Sequence, residues 1–154
     1  MSRYFPLFVD LEQEKIVVVG AGRIAERRIR TLLSFDARIT VLAPEATEAI
    51  KTWAEEGVLH WQQACWSQEA EKLLEGSLFV LSAADDSAVN EAVCSACRRR
   101  AIPVNCADDR SQCDFYFPGI AEGGGVTAGI TAGGTNHRLA REATEKVREL
   151  LSKM

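Results

Sequence analysis

Short apolar runs alternate with amphipathic segments over most of the chain. Residues 15–19, 38–42 and 78–82 are rich in β-branched residues, as is typical of strands buried on both faces of a parallel sheet, and residues 102–106 form a weaker fourth run. His60 lies in a strand-like segment between tryptophans. Because helical patterns separate the runs, we predict a Rossmann-like, doubly wound parallel α/β sheet.

The helical patterns place apolar residues on one face of each predicted helix. Ala25, Ile29, Leu32 and Leu33 form such a face in the first of these segments. The predicted helices span residues 23–35, 45–57, 67–75 and 87–100.

The pattern changes after Asp108. Residues 115–118 and 126–131 are predicted to be extended around a run of three glycines, and Thr135 or Asn136 should cap a final helix. That helix is predicted to present one apolar face, made of Leu139, Ala143, Val147 and Leu150, which suggests a partner surface. We therefore expect a nucleotide-binding domain over residues 1–112 and a dimerisation and substrate-cleft segment over residues 113–154.

Composition narrows the class of protein. The 18 Lys and Arg residues against 22 Asp and Glu residues give a net charge of −4, which argues against nucleic acid as a partner because such binding depends on phosphate neutralisation. The sequence has no apolar stretch of the ~18 residues that cross a membrane, and its N-terminus does not resemble a signal peptide. Five cysteines, an odd number, favour free thiols in a reducing cytoplasm.

A glycine-rich loop follows the first predicted strand. The sequence Gly20-Ala21-Gly22-Arg23-Ile24-Ala25 matches the dinucleotide fingerprint with Ala at its third position. Gly20 permits the tight turn, Gly22 lets the backbone approach a pyrophosphate, and Ala25 allows the helix to pack on the strand. We predict that residues 20–24 bind the cofactor at the helix N-terminus, although a glycine turn without a ligand stays an alternative.

The second strand does not end in the usual acid. Ala43 and Pro44 stand where a carboxylate would bind the adenosine ribose, and Glu45 lies just beyond them. No Arg stands at that turn to hold a 2′-phosphate. Ala43 and Pro44 are predicted to contact the cofactor, and the residues alone leave the choice between NAD and NADP open.

Acidic residues follow two other predicted strands. The third run leads into Ala83, Ala84, Asp85 and Asp86, and the fourth leads into Asp108 and Asp109. Ligands bind outside the carboxyl ends of strands in open α/β sheets, so a partly desolvated carboxylate there could act as a general base. Asp86 is the better candidate for a helix cap, whereas Asp108 fits a functional and a structural role equally well by position.

These motifs together resemble the precorrin-2 dehydrogenase domain of siroheme synthases. The matching stretches are Pro6-Leu7-Phe8, VVVGAGRIAERR at 17–28, AADD at 83–86, VNCADD at 104–109, FYFPGI at 115–120 and TAGGTNHRLAR at 131–141. The resemblance implies an NAD-dependent, homodimeric enzyme that oxidises precorrin-2 to sirohydrochlorin, and in some members inserts ferrous iron. It also implies a further helical domain, which the sequence up to Met154 does not include.

The resemblance carries roles onto particular residues. It assigns Asp108 as the catalytic carboxylate, and it assigns Gly20, Gly22 and the loop Ala83–Asp86 to the cofactor, with Ala83, Ala84 and Asp85 as the predicted contacts. Asn136 and His137 stand where the family usually has Ser-Pro, which is a departure. Candidate contacts to the substrate, which carries many carboxylates, are Asn105, Asn136, His137, Arg138 and Arg141.

Two alternatives stay open. Cys94 and Cys97 form a Cys-x-x-Cys pair that could bind Zn or an Fe–S cluster with Cys106 and Cys113, but their positions in apolar segments favour buried free thiols, so we predict no metal site. A nucleotide-sensing regulatory domain without catalysis would also begin with the glycine loop. Such a domain usually keeps the acid that Ala43 replaces.

Overall fold

The computed structural model describes residues 4–154, which divide into two compact units. The first, called here the sheet unit, is Asp10–Phe115, and the second, the hairpin unit, is Tyr116–Met154 together with residues 4–9. The division therefore falls slightly after the predicted boundary at residue 112, and the N-terminal residues belong with the C-terminal segment.

The sheet unit contains five parallel strands in the order β3-β2-β1-β4-β5. This is the order of a doubly wound nucleotide-binding half, so the predicted fold class is confirmed. The 78–82 and 102–106 strands begin later than predicted, and His60 lies in a short strand. The strands are β1 Lys15–Val19, β2 Arg38–Leu42, β3 His60–Gln62, β4 Phe79–Ser82 and β5 Val104–Cys106.

Three α-helices flank this sheet: α1 Arg23–Leu33, α2 Glu48–Glu55 and α3 Ser87–Arg99. The predicted helix over 67–75 is instead a 3₁₀ segment, Glu69–Leu74, which is too short to propagate a stable α-helix. Helix α2 begins later than predicted because Thr47 caps it with its side chain.

The core of the sheet unit is continuous through the two central strands. Val17, Val18 and Val80 are fully buried, and Val17 pairs with Val80 across the β1–β4 ladder. Helix α1 covers one face through Ala25 and Ile29, which are also fully buried, as their spacing predicted.

The outer edge of β5 is covered by the loop that follows it rather than by a strand. The Asp114 N–H donates to the Val104 carbonyl at 2.9 Å, and the Val104 N–H donates to the Asp114 carboxylate at 2.9 Å. The Cys106 N–H donates to the Cys113 Sγ at 3.2 Å. The backbone groups that a further strand would have paired are therefore satisfied by this loop.

The hairpin unit pairs β6 Gly119–Gly123 with β7 Val126–Ile130 in antiparallel fashion and packs α4 His137–Leu151 on them. Gly124 and Gly125 form the two-residue turn with φ of +57° and +77°, which favours glycine at both positions. The paired part of the predicted extended region begins at Gly119, directly after residues 115–118.

The buried face of α4 differs from the predicted one. Thr144 and Leu151 are its buried residues, whereas Leu139 is 53% exposed and Leu150 is 64% exposed. Thr144 tolerates burial because its hydroxyl donates to the Ala140 carbonyl at 2.7 Å within the helix. Two of the four residues of the predicted apolar face, Leu139 and Leu150, are thus left without cover within the described hairpin unit.

Close packing of α4 on the hairpin leads to a stability prediction. A Cβ added at Gly123 would lie 2.9 Å from the backbone carbonyl of Leu151, whereas one at Gly129 would make ordinary contacts of 3.6 Å with Pro118. We expect Gly123→Ala to lower the free energy of unfolding by about 1–3 kcal/mol, because overpacking against backbone is not relieved by a rotamer change. Gly129→Ala, the matched control, should change it by much less in urea unfolding; equal effects would contradict this account.

Candidate dinucleotide-binding site

The glycine loop places two chain segments in close contact. Gly20 has a φ of +106°, and a Cβ there would collide with the Ala83 carbonyl and lie 2.7 Å from the Ala84 nitrogen. The Gly20 N–H donates to the Leu42 carbonyl at 2.9 Å. Gly20 therefore joins the carboxyl ends of β1, β2 and β4, which is more than the tight turn that the sequence predicted.

Gly22 faces open space. It is the N-cap residue of α1, and no side chain in the described part of the chain caps this helix. A Cβ at Gly22 would have no heavy atom of the described residues within 4 Å, its chain neighbours apart. The first N–H groups of α1 and its positive dipole end are thus available to an anion, as a pyrophosphate requires.

A cleft of about 860 Å³ opens at this helix end, where the strand order reverses between β1 and β4. The structure brings all the predicted cofactor contacts into its lining: Gly20, Ala21, Gly22, Arg23, Ile24, Ala43, Pro44, Ala83, Ala84 and Asp85.

Thr47 fixes the β2 side of the cleft, a role that the sequence did not indicate. Its N–H donates to the Ala21 carbonyl at 3.1 Å, and its side chain accepts from the Ile50 N–H at 3.4 Å. A hydrogen bond from Thr47 also lowers the pKa of Glu26. The acid that usually binds the ribose is absent from the end of β2, because the position is occupied by Ala43, which is buried. The next carboxylate along the lining of the cleft is that of Glu45.

Asn90 fixes the β4 side of the cleft and was also missed by sequence reasoning. Its buried side-chain oxygen accepts from the Ser82 hydroxyl at 2.8 Å and the Ala84 N–H at 2.9 Å, and its amide nitrogen donates to the Ala84 carbonyl at 2.9 Å. Asp86 caps α3 by accepting from the Ala88 N–H at 2.9 Å, as predicted. The loop that lines the cleft is thus held from both ends.

Cys65 offers a chemical probe of this cleft. It lies in the lining beside Trp66 and is the exposed member of the five cysteines, all of which fall within the described residues. We expect a maleimide to modify Cys65 rapidly and saturating NAD to slow this reaction several-fold, because the cofactor would occupy the same cleft. Mass spectrometry checks the site, Cys65→Ser serves as the control, and an unchanged rate with NAD would count against occupancy of this cleft.

Asp108 stands at the carboxyl end of β5 and is exposed. The Cys106 thiol donates to its Oδ1 at 3.0 Å. Hydrogen bonds from Cys106, Asn90 and Ser87 hold the pKa of Asp108 below its ordinary value, and they outweigh the opposing effect of burial. The sequence predicts a partly desolvated carboxylate, and desolvation raises a carboxyl pKa. In the structure the hydrogen-bond donors have the larger effect, and the pKa of Asp108 is lowered.

Asp108 lies on the same edge of the sheet as the cofactor cleft. The described residues that line the cleft do not include Asp108 itself. Asp108 follows β5, and the cleft opens at the ends of β1, β2 and β4, whose carboxyl ends share that edge because the strands are parallel. The sheet thus brings the carboxylate and the cofactor loop to one side of the unit.

Asp109 has a different task. Its Oδ1 accepts from the Ser111 N–H at 2.9 Å and the Ser111 hydroxyl at 2.6 Å, so it caps the short 3₁₀ segment Arg110–Gln112. These bonds lower the pKa of Asp109. The two adjacent carboxylates are therefore separated in role by their hydrogen bonds.

Asn105 lies inside the sheet unit. It is 3% exposed, its oxygen accepts from the Arg28 guanidinium at 2.6 Å, and its amide donates to the Phe115 carbonyl at 2.8 Å. Burial lowers the pKa of Arg28. Both polar atoms of the Asn105 side chain, which was predicted to contact the substrate, are thus hydrogen-bonded to the protein.

The cysteines do not form a metal site within residues 4–154, where no cluster of three or more His, Cys, Asp or Glu side chains is suited to an ion. Burial raises the pKa of Cys94 and of Cys97 to about 12, so both thiols keep their protons. The Cys-x-x-Cys pair is accounted for by packing in α3.

The remaining candidate residues lie at the start of α4 in the hairpin unit. Asn136 caps the helix by accepting from the Leu139 N–H at 2.9 Å, and His137 is its first residue. Arg138 pairs with Glu142 at 2.8 Å and Arg141 pairs with Glu145 at 3.2 Å. Arg138 and Arg141 are both exposed, so these pairs hold them only weakly.

Fold and cleft together define a Rossmann-type dinucleotide-binding domain. The family model described as "Putative NAD(P)-binding" matches residues 7–119, and the chain belongs to this family.

Known relatives agree with the resemblance found in the sequence. The chain is 34% identical over 148 residues to siroheme synthase 1 of Pectobacterium atrosepticum and 35% identical over 148 residues to siroheme synthase of Photorhabdus laumondii, with 96% of the chain covered in each case. It spans 30% and 31% of the lengths of these relatives. A solved structure titled "SirC, precorrin-2 dehydrogenase" matches with a TM-score of 0.77 and 28% identity, covering 96% of this chain and 71% of that one.

The predicted resemblance to the precorrin-2 dehydrogenase and siroheme synthase family is thereby confirmed. Among the helices in the described residues, none is both long enough and apolar enough to cross a bilayer.

Proposed function

We propose that this chain is an NAD-dependent precorrin-2 dehydrogenase that forms sirohydrochlorin in the cytoplasm. The observation that carries the proposal is that Asp108, at the carboxyl end of β5, lies on the same edge of the parallel sheet as the cofactor cleft. A base and a hydride acceptor must lie near one substrate for a dehydrogenation, and this edge of the sheet carries a candidate for each.

The cleft suits NAD by its own geometry. The uncapped N-terminus of α1 and the open space at Gly22 match a pyrophosphate, which residues Gly20–Ile24 would hold. Ala43 and Pro44 would lie beside the adenosine, and Ala83–Asp85 beside the remainder of the molecule. When bound, NAD supplies the acceptor for a hydride.

Asp108 would take the proton in this reaction. Oxidation of precorrin-2 by two electrons releases one hydride and one proton, so a base is needed beside the substrate. Asp108 is ionised at neutral pH and can therefore accept that proton, and the hydrogen bonds that lower its pKa make it a weaker base than an ordinary aspartate.

The hairpin unit would provide cations for the carboxylates of precorrin-2. Arg138 and Arg141 lie one turn apart on α4, and their exposed ion pairs with Glu142 and Glu145 would exchange for substrate carboxylates at little cost. Asn136 and His137 would lie at the same helix end. Asn105 would act from inside the sheet unit by fixing Arg28.

An anaerobic assay tests the proposal. Purified chain is mixed with precorrin-2 and NAD, and the appearance of NADH and sirohydrochlorin is followed by absorbance. Formation of both products supports the proposed dehydrogenase activity. NAD binding with an unchanged tetrapyrrole would indicate a nucleotide-sensing domain instead, and a parallel reaction with ferrous iron reports whether the chain also inserts the metal.

The exposed apolar residues of α4 lead to a prediction about assembly. Because Leu139 and Leu150 lie uncovered in the described hairpin unit, we propose that two copies pair there as a symmetric homodimer. Light scattering at micromolar concentration should give the mass of a dimer. Leu150→Lys should shift it toward the monomer, whereas Glu149→Lys, an exposed position about 100° around the helix from Leu150, should shift it less. A monomeric parent would overturn the proposal.

A further inference from the structure

Cys106 contacts Asp108 directly, two residues along the chain. The thiol lies at the end of β5, is 4% exposed, and donates to the Asp108 Oδ1 at 3.0 Å. This is a short distance for a hydrogen bond from sulfur. A buried thiol therefore points its proton at a carboxylate that is itself exposed.

The surroundings keep this thiol in the donor form. Burial raises the pKa of Cys106, with the Asp108 carboxylate adding to the effect, so the sulfur retains its proton at neutral pH. Cys113 fixes the backbone of the same residue, because its Sγ accepts from the Cys106 N–H and donates to the Cys106 carbonyl, both at 3.2 Å. The backbone of Cys106 is thus held in place by contacts that do not involve Asp108.

We propose that Cys106 is a positioning residue that orients the Asp108 carboxylate through its S–H···O hydrogen bond. This inference rests on the proposed function, in which Asp108 accepts the substrate proton. Asn90 and Ser87 also help to lower the pKa of Asp108, and Asp109 is the neighbouring carboxylate. The role of Cys106 is to fix which carboxylate oxygen stays directed toward the protein, leaving the other for the substrate.

The test compares variants that keep or remove the donor. Cys106→Ser retains a donor, whereas Cys106→Val and Cys106→Ala remove it without adding a polar group. Cys97→Val is the matched control, since Cys97 is another fully buried thiol in the same core cluster, and Asp108 is not among the groups that act on it. Thermal unfolding establishes that each variant is folded.

Two measurements decide the result. The pKa of Asp108 is measured by carbon NMR, with Asp108→Asn used to assign its signal, and kcat and KM are measured with precorrin-2 and NAD. In Cys106→Val and Cys106→Ala we expect the pKa of Asp108 to move up toward its ordinary value and kcat to fall about 10- to 100-fold, with KM for NAD unchanged. In Cys106→Ser the pKa of Asp108 and kcat should both stay close to those of the parent, and Cys97→Val should change neither the pKa of Asp108 nor kcat.

The inference is overturned if the donor-free variants leave the pKa of Asp108 and kcat where Cys97→Val leaves them. It is also overturned if Cys106→Ser loses as much as Cys106→Ala. A parent protein that does not oxidise precorrin-2 would defeat the proposed function instead, and the NMR titration would then decide by itself whether the thiol orders the carboxylate.

Discussion

Gly22→Asp is expected to abolish NAD binding while the protein stays folded. The Cβ position at Gly22 faces open space, because a Cβ there would have no described protein atom within 4 Å apart from its chain neighbours. The new side chain would occupy the volume in front of the N-terminus of α1, where a pyrophosphate would lie. The added carboxylate would repel the phosphates and compete for the same N–H groups.

Two control variants separate the effect of the added charge from the effects of added bulk and of damage to the fold. Gly22→Ala adds bulk without charge and should weaken binding less than Gly22→Asp. Gly20→Ala should instead damage the fold, because its Cβ would collide with the backbone of Ala83 at a φ of +106°. Calorimetry with NAD and thermal unfolding of all three variants are the measurements. A folded Gly22→Asp protein with undiminished affinity would show that the cleft does not bind the cofactor in this way.

Asp108→Asn is expected to lower turnover of precorrin-2 by about 10²–10⁴-fold, the range of a general-base contribution. The amide is nearly isosteric, so the fold and NAD binding should be retained, but it cannot accept the substrate proton. Steady-state kinetics beside circular dichroism and NAD titration provide the measurement.

Asp109→Asn is the matched control for this change. Asp109 caps Arg110–Gln112 through Ser111, and an asparagine side chain caps nearly as well as an aspartate. Turnover should therefore stay within a few-fold of the parent. If Asp108→Asn also remains within a few-fold, Asp108 has a structural role and the proposed assignment fails.

The parts of the site that are local in sequence could be predicted from it. The β1 strand and the glycine loop lie within one short segment, and each residue there has a distinct steric requirement, so their positions in the cleft agree with expectation. The cap at Asp86 was predictable for the same reason, since its acceptor role involves only its immediate neighbours.

The parts of the site that depend on contacts between distant residues could not be predicted from the sequence. Asn90 lies in the first turn of α3, and nothing in its local pattern shows that its side chain binds the loop at Ala84. Periodicity also misassigned α4, because it counts Thr144 as polar although the helix itself satisfies that hydroxyl. Such roles follow from tertiary packing and not from residue type.

The loop over the outer edge of β5 also bears on aggregation. An unpaired strand edge invites a strand from another molecule to add to the sheet, which is a common route to intermolecular β-structure. Here Asp114 and Cys113 already occupy the hydrogen-bonding groups of Val104 and Cys106, and the opposite edge is the three-residue strand His60–Gln62. Neither edge of this sheet offers a long template for strand addition, so the sheet unit should resist growth into cross-β assemblies at high concentration.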